Sequence, residues 1–89
     1  MHDKYLEVTF RKGKPIAAYL YLSRQNNAQS ARTKRFKAGI IVDFDEKDNA
    51  IGIEITAPNK IKNHEINEVF QLLHIPPFSE EELAPLKAA

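Results

Sequence analysis

The 89-residue chain has no cysteine, no tryptophan and only three glycines. Without cysteine it has no disulfide framework, no thiolate nucleophile and no zinc ribbon. The glycines are too scattered to form a phosphate-binding loop. No apolar run approaches the roughly 20 residues that a membrane helix needs. We therefore expect no cofactor and no membrane association, and the polar N-terminal stretch, unlike a signal peptide, predicts the cytoplasm.

What is present suits one small folded domain spanning residues 1–89. Hydrophobic residues make up 43% of the chain and include five Phe and three Tyr, which is enough apolar surface to order it. The length excludes a TIM barrel, a kinase or a Rossmann unit with a substrate domain.

The net charge of +1 hides an uneven distribution. Residues 1–37 hold nine Lys or Arg against two Asp or Glu, a net +7, and residues 38–89 hold four against ten, a net −6. This division predicts either a basic and an acidic surface or two halves that attract each other on folding.

Apolar alternation with period two predicts a first β-hairpin. Residues 5–10 alternate apolar and polar positions, and Gly13 offers a turn. In the second strand we expect one face to be shared by Ile16, Ala18, Leu20 and Leu22.

A second hairpin is predicted at 40–44 and 50–56, joined by the turn 45–49. The polar stretch 23–30 is typical of a loop. The basic stretch 31–37 is interpreted as a third strand, placed at a sheet edge because its cations fall on both faces. The sheet should therefore occupy about residues 4–57.

The period then changes to that of an amphipathic helix over about 63–75, with Asn63 as N-cap and Pro76-Pro77 as the stop. Its apolar stripe consists of Ile66, Val69, Phe70 and Leu73. The tail 76–89 carries a capping box and a hydrophobic staple, which predict about one helical turn; these are formed by Ser79 with Glu82 and by Phe78 with Leu83.

These elements define an α+β fold: a single small domain with an antiparallel sheet of two hairpins plus an edge strand, and one amphipathic C-terminal helix. The expected core consists of Val8, Leu20, Leu22, Ile40, Val42, Phe44, Ile51, Ile53, Ile55, Val69, Phe70 and Leu73.

Residues 38–55, together with the upstream segment Ala18–Ser23, resemble the Domain of Unknown Function 2283 family of small prokaryotic proteins. Members typically contain GIIvDyDedGnivGIEI preceded by aLYIrLs, and the resemblance covers about residues 4–57. The sequence departs from the pattern in three places: Phe10-Arg11 stands where members usually have Tyr-Asp, Ala17 stands where they have Asp, and Asp48-Asn49 replaces the turn glycine. The resemblance implies a small α+β domain and carries no catalytic residue.

Clusters that suggest chemistry have simpler interpretations. The acidic residues at 43–48 lack the alternate spacing and glycine of a calcium loop, so they indicate a solvated turn. His64 and His74 are ten residues apart and do not share a helix face closely enough to chelate one ion. The serines lack a nucleophile motif. We therefore expect a protein that is not an enzyme.

Two kinds of partner remain open. Basic residues with nearby tyrosines suit single-stranded nucleic acid, where bases stack on rings and phosphates meet cations. The candidate surface consists of Arg11, Lys12, Lys14, Tyr19, Tyr21, Arg32, Lys34, Arg35 and Lys37. The simpler interpretation is a solvated edge strand whose tyrosines are covered by the helix or by a second subunit.

The preferred hypothesis is a non-enzymatic protein-interaction module that self-associates, because small domains gain stability from oligomerisation. Its dimer should weaken as salt rises, since the acidic tail would meet a basic strand. The interface could be supplied by Tyr19, Tyr21, Phe36, Phe78, Leu83 and Leu86. The nucleic-acid module is the alternative, and a further one is an antitoxin-like partner, which depends only on small size and the prokaryotic resemblance.

Overall fold

Five antiparallel strands form one sheet in the order β1-β2-β5-β4-β3. The computed structural model describes residues 5–22 and 30–87, so most of the predicted loop at 23–30 lies outside the described residues. The strands are β1 Tyr5–Arg11, β2 Lys14–Tyr21, β3 Arg32–Lys37, β4 Ile40–Phe44 and β5 Ala50–Ile55. Both predicted hairpins and the β3 edge strand are confirmed. The contact that joins them, β2 against β5, was not predicted.

Two-residue turns close the β1–β2 and β3–β4 hairpins. Lys12 and Gly13 both have positive φ, 54° and 80°, which is the pattern of a type I′ turn. Gly39 has a φ of 83° between β3 and β4. The turn after β4 depends on Asp45 instead, whose carboxylate accepts the backbone N–H groups of Lys47 and Asn49 at 2.9 Å each. The acidic turn is therefore built by local hydrogen bonds, as expected for Asp in turns.

Register shifts overturn the predicted placement of two isoleucines. The β1–β2 register shifts between Thr9 and Phe10, so Ile16 leaves the face of Ala18 and is 45% exposed. The β4–β5 register shifts beside Phe44, and Ile51 is only half-buried there. An irregularity of this kind interrupts the alternation of side chains along a strand.

Helix α1 spans Asn63–Leu72, and its cap lies one residue earlier than predicted. Lys62 is the N-cap, which corrects the prediction of Asn63. The Lys62 N–H donates to Glu65 Oε1 at 2.9 Å, so a side chain in the first turn satisfies a backbone donor next to the helix.

Helix α1 ends three residues before the predicted limit. His74 has a φ of 60°, and the N–H of Ile75 donates to the carbonyl of Phe70 at 2.9 Å. The N–H of His74 donates to the carbonyl of Gln71 at 3.1 Å. These are the bonds of a Schellman motif, with histidine in the left-handed position usually held by glycine.

The tail adds a second short helix, α2 Glu80–Leu83, continued by a 3-10 turn at 84–87. The described residues therefore contain two α-helices, whereas the predicted fold named one amphipathic helix and gave the tail only about one helical turn. The predicted capping box is present: the Ser79 N–H donates to Glu82 Oε1 at 2.8 Å, and the Glu82 N–H donates to Ser79 Oγ at 3.1 Å.

The helices cover one face of the sheet, and the core lies between them. Eight of the twelve predicted core residues are buried; Val8, Leu22 and Leu73 are partly buried against the core, and Ile51 is not part of it. The prediction missed Ala18, Ile61, Ile66, Phe78, Leu83 and Leu86. No helix among the described residues has the length and apolar character to cross a bilayer.

Candidate interaction surface

The second face of the sheet carries no packed helix within the described residues. Residues paired across antiparallel strands lie on the same face, so the register fixes its composition. One row across the sheet consists of Tyr5, Tyr21, Gly52, Asp43 and Thr33, and the next consists of Glu7, Tyr19, Glu54, Ile41 and Arg35. We call these ten residues the open face.

A tyrosine crosses one strand of the open face to reach the next. The Tyr19 hydroxyl, on β2, donates to Asp43 Oδ2, on β4, at 2.7 Å. Its ring lies over Gly52 of the intervening strand β5, where a Cβ would overlap the ring. Burial, followed by the hydrogen bond to Asp43, raises the pKa of Tyr19.

Asp43 also accepts the Thr33 hydroxyl at 3.0 Å, so its carboxylate holds groups from β2 and β3 together. The half-buried carboxylate therefore serves the sheet itself. Its two hydrogen bonds, from the Tyr19 and Thr33 hydroxyls, fix these side chains at the centre of the open face.

Two further tyrosines are exposed beside this contact. Tyr5 and Tyr21 are 51% and 36% exposed, with ring centroids 5.3 Å apart. Tyr21 packs edge-to-face on Tyr19 at 4.7 Å, and its hydroxyl donates to Glu7 Oε1 at 3.0 Å. That hydrogen bond raises the pKa of Tyr21. The three rings form an aromatic cluster at the β1–β2 side of the open face.

The charges on the open face are arranged by strand. Glu7 lies on edge strand β1, Glu54 on the central strand β5 and Arg35 on the opposite edge strand β3, all in one row. All three side chains belong to exposed residues. Neither Glu7 nor Arg35 forms an ion pair with another residue in the ranges 5–22 and 30–87. The face is thus acidic at one edge and basic at the other.

The structure does not gather the nine predicted surface residues into one platform. Arg11, Lys12 and Lys14 lie at the β1–β2 turn. The four cations of β3 lie at the opposite edge of the sheet, four strand spacings or about 19 Å from β1. Tyr19 and Tyr21 lie among carboxylates and not among these cations.

Two of the β3 cations form ion pairs with other parts of the chain. Arg32 pairs with Asp48 at 3.0 Å and lies 4.3 Å from the centroid of the Phe44 ring. Lys37 Nζ lies 2.7 Å from Glu68 Oε1 on α1, which raises the pKa of the lysine and lowers that of the carboxyl.

Lys34 lies on the helix side of β3, with its ammonium 5.2 Å from the Phe36 ring centroid. Arg35 is therefore the one β3 cation that the strand register places on the open face of the described sheet.

The predicted interface residues of the tail are used inside the molecule, which corrects their assignment. Phe78 is 6% exposed, and Leu83 and Leu86 are fully buried. Asn67 on α1 holds the tail in place, since its Oδ1 accepts the Phe78 N–H at 3.0 Å and its Nδ2 donates to the Phe78 carbonyl at 3.2 Å. These apolar side chains are not available to a second copy.

Outside the sheet, a groove of about 440 Å³ runs along α1, lined by His64, Asn67, Glu68, Gln71, Ile75 and Pro77. The Asn67 and Glu68 side chains there are held by Phe78 and Lys37. Among the described residues no group of three His, Asp or Glu is arranged to hold a metal ion.

The predicted site consisted of seven cations and two tyrosines; it included Tyr19, Tyr21 and Arg35 of the open face. It did not include Glu7, Glu54 or the Gly52 beneath Tyr19. The alternation of apolar and polar residues in β1 and β5 was enough to predict which face of the sheet these residues occupy; Glu7, for example, lies between Leu6 and Val8. What alternation could not supply was the order of the strands, on which the juxtaposition of these residues depends.

Comparison with known proteins agrees with the sequence resemblance. Residues 17–57 match the model of a family described as "Protein of unknown function (DUF2283)", which confirms the resemblance to that family. The matched segment begins within β2, ends two residues after β5 and contains Tyr19, Asp43 and Gly52. No curated protein and no solved structure matches the chain significantly.

Proposed function

We propose that the protein is a non-enzymatic protein-interaction module that self-associates through the open face. The observation that carries this proposal is an entire face of a five-stranded sheet with exposed tyrosines and no helix packed on it in the described chain. The rings of Tyr5 and Tyr21 pack against each other, and the Tyr21 hydroxyl also donates to Glu7, so these side chains lose little freedom on contact. Tyrosine suits such a surface because its ring is apolar and its hydroxyl remains hydrogen-bonded.

The size of the open face sets the expected affinity. Five strands about 4.8 Å apart and about 20 Å long give a buried area on the order of 1,000 Å² over two copies. This is the lower end for a specific interface. We therefore expect a dimer with a dissociation constant in the micromolar range.

Sedimentation equilibrium between about 1 and 500 μM protein tests the proposal. We expect dimer formation that Tyr21→Ser weakens by at least about tenfold, because the partly exposed ring that links Tyr5 and Tyr19 in the aromatic cluster is lost from the contact. Leu72→Ser is the matched control: Leu72 is 63% exposed on α1, away from the open face, and its loss should leave the dimer intact. A wild-type monomer at every concentration would overturn the proposal.

The alternative function, nucleic-acid binding, is favoured by the exposed cations Lys34 and Arg35 on edge strand β3. If it holds, a labelled single-stranded oligonucleotide binds with an affinity that falls steeply between 50 and 200 mM salt, as counterion release requires (roughly a tenfold loss per few phosphates contacted). The variant Lys34→Ala/Arg35→Ala should then abolish binding, whereas Lys12→Ala/Lys14→Ala, at the far edge, serves as the charge-matched control. Absence of salt-sensitive binding would remove this alternative.

A further proposal is that this chain is an antitoxin-like partner protein. In that case a different protein, and not a second copy, would bind the open face. The expected result is a defined complex that copurifies with the wild-type chain and is lost in Tyr21→Ser.

A further inference from the structure

The open face has opposite charges at opposite edges, and this polarity determines how two copies can meet. In the row that crosses all five strands, Glu7 is on β1 and Arg35 is on β3, with β5 midway between them. The two side chains are too far apart, about 19 Å by strand spacing, to pair within one copy. Each is exposed and is without an ion pair among the described residues.

Two sheets can pack face to face about a two-fold axis that runs either along the strands or across them. An axis across the strands keeps the strand order, so β1 lies on the second copy's β1 and equal charges meet. An axis along the strands, above β5, reverses the strand order, so β1 of each copy lies on β3 of the other. Only the second arrangement brings Glu7 of one copy to Arg35 of the other, twice in an isologous dimer.

We propose that two copies pack open face to open face about an axis parallel to β5, with Glu7 of each copy paired to Arg35 of the other. This inference rests on the proposed self-association and specifies its geometry. It is compatible with aligned packing of two sheets at about 30°, with the sheets about 10 Å apart. The shared row also places Tyr19 of each copy against Ile41 of the other, a ring on an aliphatic side chain.

The same axis has a cost that provides a second test. It passes above β5, so Glu54 meets its own counterpart in the other copy, and the two like charges repel. Neutralising this position with Glu54→Gln should tighten the dimer several-fold, whereas Glu46→Gln, in the exposed β4–β5 turn, should leave it unchanged.

The decisive experiment is a charge exchange measured by sedimentation equilibrium at low salt. Glu7→Arg alone and Arg35→Glu alone each replace two attractive contacts with two repulsive ones, and each should weaken the dimer by about 10- to 100-fold. Mixing the two variants should restore association, because the introduced arginine then meets the introduced glutamate while the native Glu7 and Arg35 still meet each other. The double variant Glu7→Arg/Arg35→Glu should likewise dimerise more tightly than either single variant, although it lacks the hydrogen bond from Tyr21 to Glu7.

Matched controls separate the pairing from general charge effects. Lys34→Glu makes the same charge change on the same strand but on its helix side, and Glu46→Arg does so in the turn; both should leave dimerisation intact. Circular dichroism at the same concentrations shows that each variant is folded. The mixture is a further control for folding, because the two variants can associate with each other only if both are folded.

The outcomes are distinct. Restored association in the mixture supports the geometry. If the wild type dimerises but the single variants do not weaken the dimer, the geometry is overturned while the proposed self-association stands. The same conclusion follows if the mixture of the two variants does not restore association. A wild-type chain that remains monomeric overturns both.

Discussion

Replacing Gly52 with alanine should destabilise the protein through a single neighbour, the Tyr19 ring. Gly52 is buried on β5, and a Cβ there would overlap the Tyr19 hydroxyl and the adjacent ring carbons. Its backbone does not need glycine, because its φ is not in the left-handed region. The constraint is therefore steric, and it comes from the hydrogen bond that draws Tyr19 across β5 to Asp43.

The magnitude follows from what Tyr19 must give up. Moving its ring breaks the 2.7 Å hydrogen bond to the Asp43 carboxylate, which costs about 1.5–3 kcal/mol for a charged acceptor. It also disturbs the edge-to-face contact with Tyr21, about 0.5–1.5 kcal/mol. Alanine gains about 0.5–1 kcal/mol over glycine within a strand. We expect a net loss of about 2 kcal/mol in the free energy of unfolding, or about 10 °C in Tm.

A double-mutant cycle with Tyr19→Ala isolates this effect. Urea unfolding followed by circular dichroism, at one fixed protein concentration because the face is a proposed dimer contact, gives the four free energies of unfolding. Without the ring, Gly52→Ala should be neutral or stabilising by up to about 1 kcal/mol, so the coupling between the sites should be about 2–3 kcal/mol. An equal cost of Gly52→Ala in both backgrounds would refute the assignment of the clash to Tyr19.

Three further predictions concern the tail and the tyrosines. Leu83→Ala should cost about 2–5 kcal/mol in urea unfolding because the side chain is fully buried; a cost below about 1 kcal/mol would contradict its place in the core. Asn67→Asp removes the donor to the Phe78 carbonyl and should cost about 1–3 kcal/mol, with faster hydrogen exchange at the Phe78 amide; unchanged exchange would count against it. Because the folded pKa of Tyr19 is raised while unfolded tyrosine ionises near 10, its contribution to stability is full below about pH 10 and falls as pH rises above it. The urea midpoint should therefore drop less between about pH 9 and 11 in Tyr19→Phe than in the wild type, and equal drops would refute this.

The strands were predictable because alternation reports burial directly, but their irregularities were not. Ile16 and Ile51 continue a perfect period of two in the sequence, and each lies beside a register shift that changes its exposure. Such a shift depends on the partner strand, which the local pattern does not contain. The C-terminal end of α1 differed from the prediction because His74 occupies a left-handed position that sequence preferences assign to glycine.

The tail shows a different limit of sequence reasoning. Its capping box and staple were predicted correctly, yet Phe78, Leu83 and Leu86 were assigned to an interface. A helix of four residues is too short for a periodic apolar stripe to indicate burial. The information lies in Asn67, whose amide binds both polar backbone groups of Phe78 and fixes the tail against α1.

The charge division along the chain does not become two separate surfaces, because the topology interleaves the two halves. Strands β5 and β4, from the acidic half, lie between β2 and β3 of the basic half. Cations of the basic half are paired with carboxylates of the acidic half by folding, as in Arg32 with Asp48 and Lys37 with Glu68. This agrees with the prediction that the two halves attract each other.

The polarity of the open face has another origin. Glu7 and Arg35 both belong to the basic half, where Glu7 is one of only two acidic residues. The insertion of β4 and β5 between the first hairpin and β3 carries them to opposite edges of the sheet, where neither can neutralise the other. In the proposed dimer, a second copy turned about β5 would supply a partner to each of them. Of the three exposed charges in this row of the open face, the proposed two-fold rotation would pair Glu7 and Arg35, which have no ion pair among the described residues, and would leave the repulsion between the two Glu54 side chains as its cost.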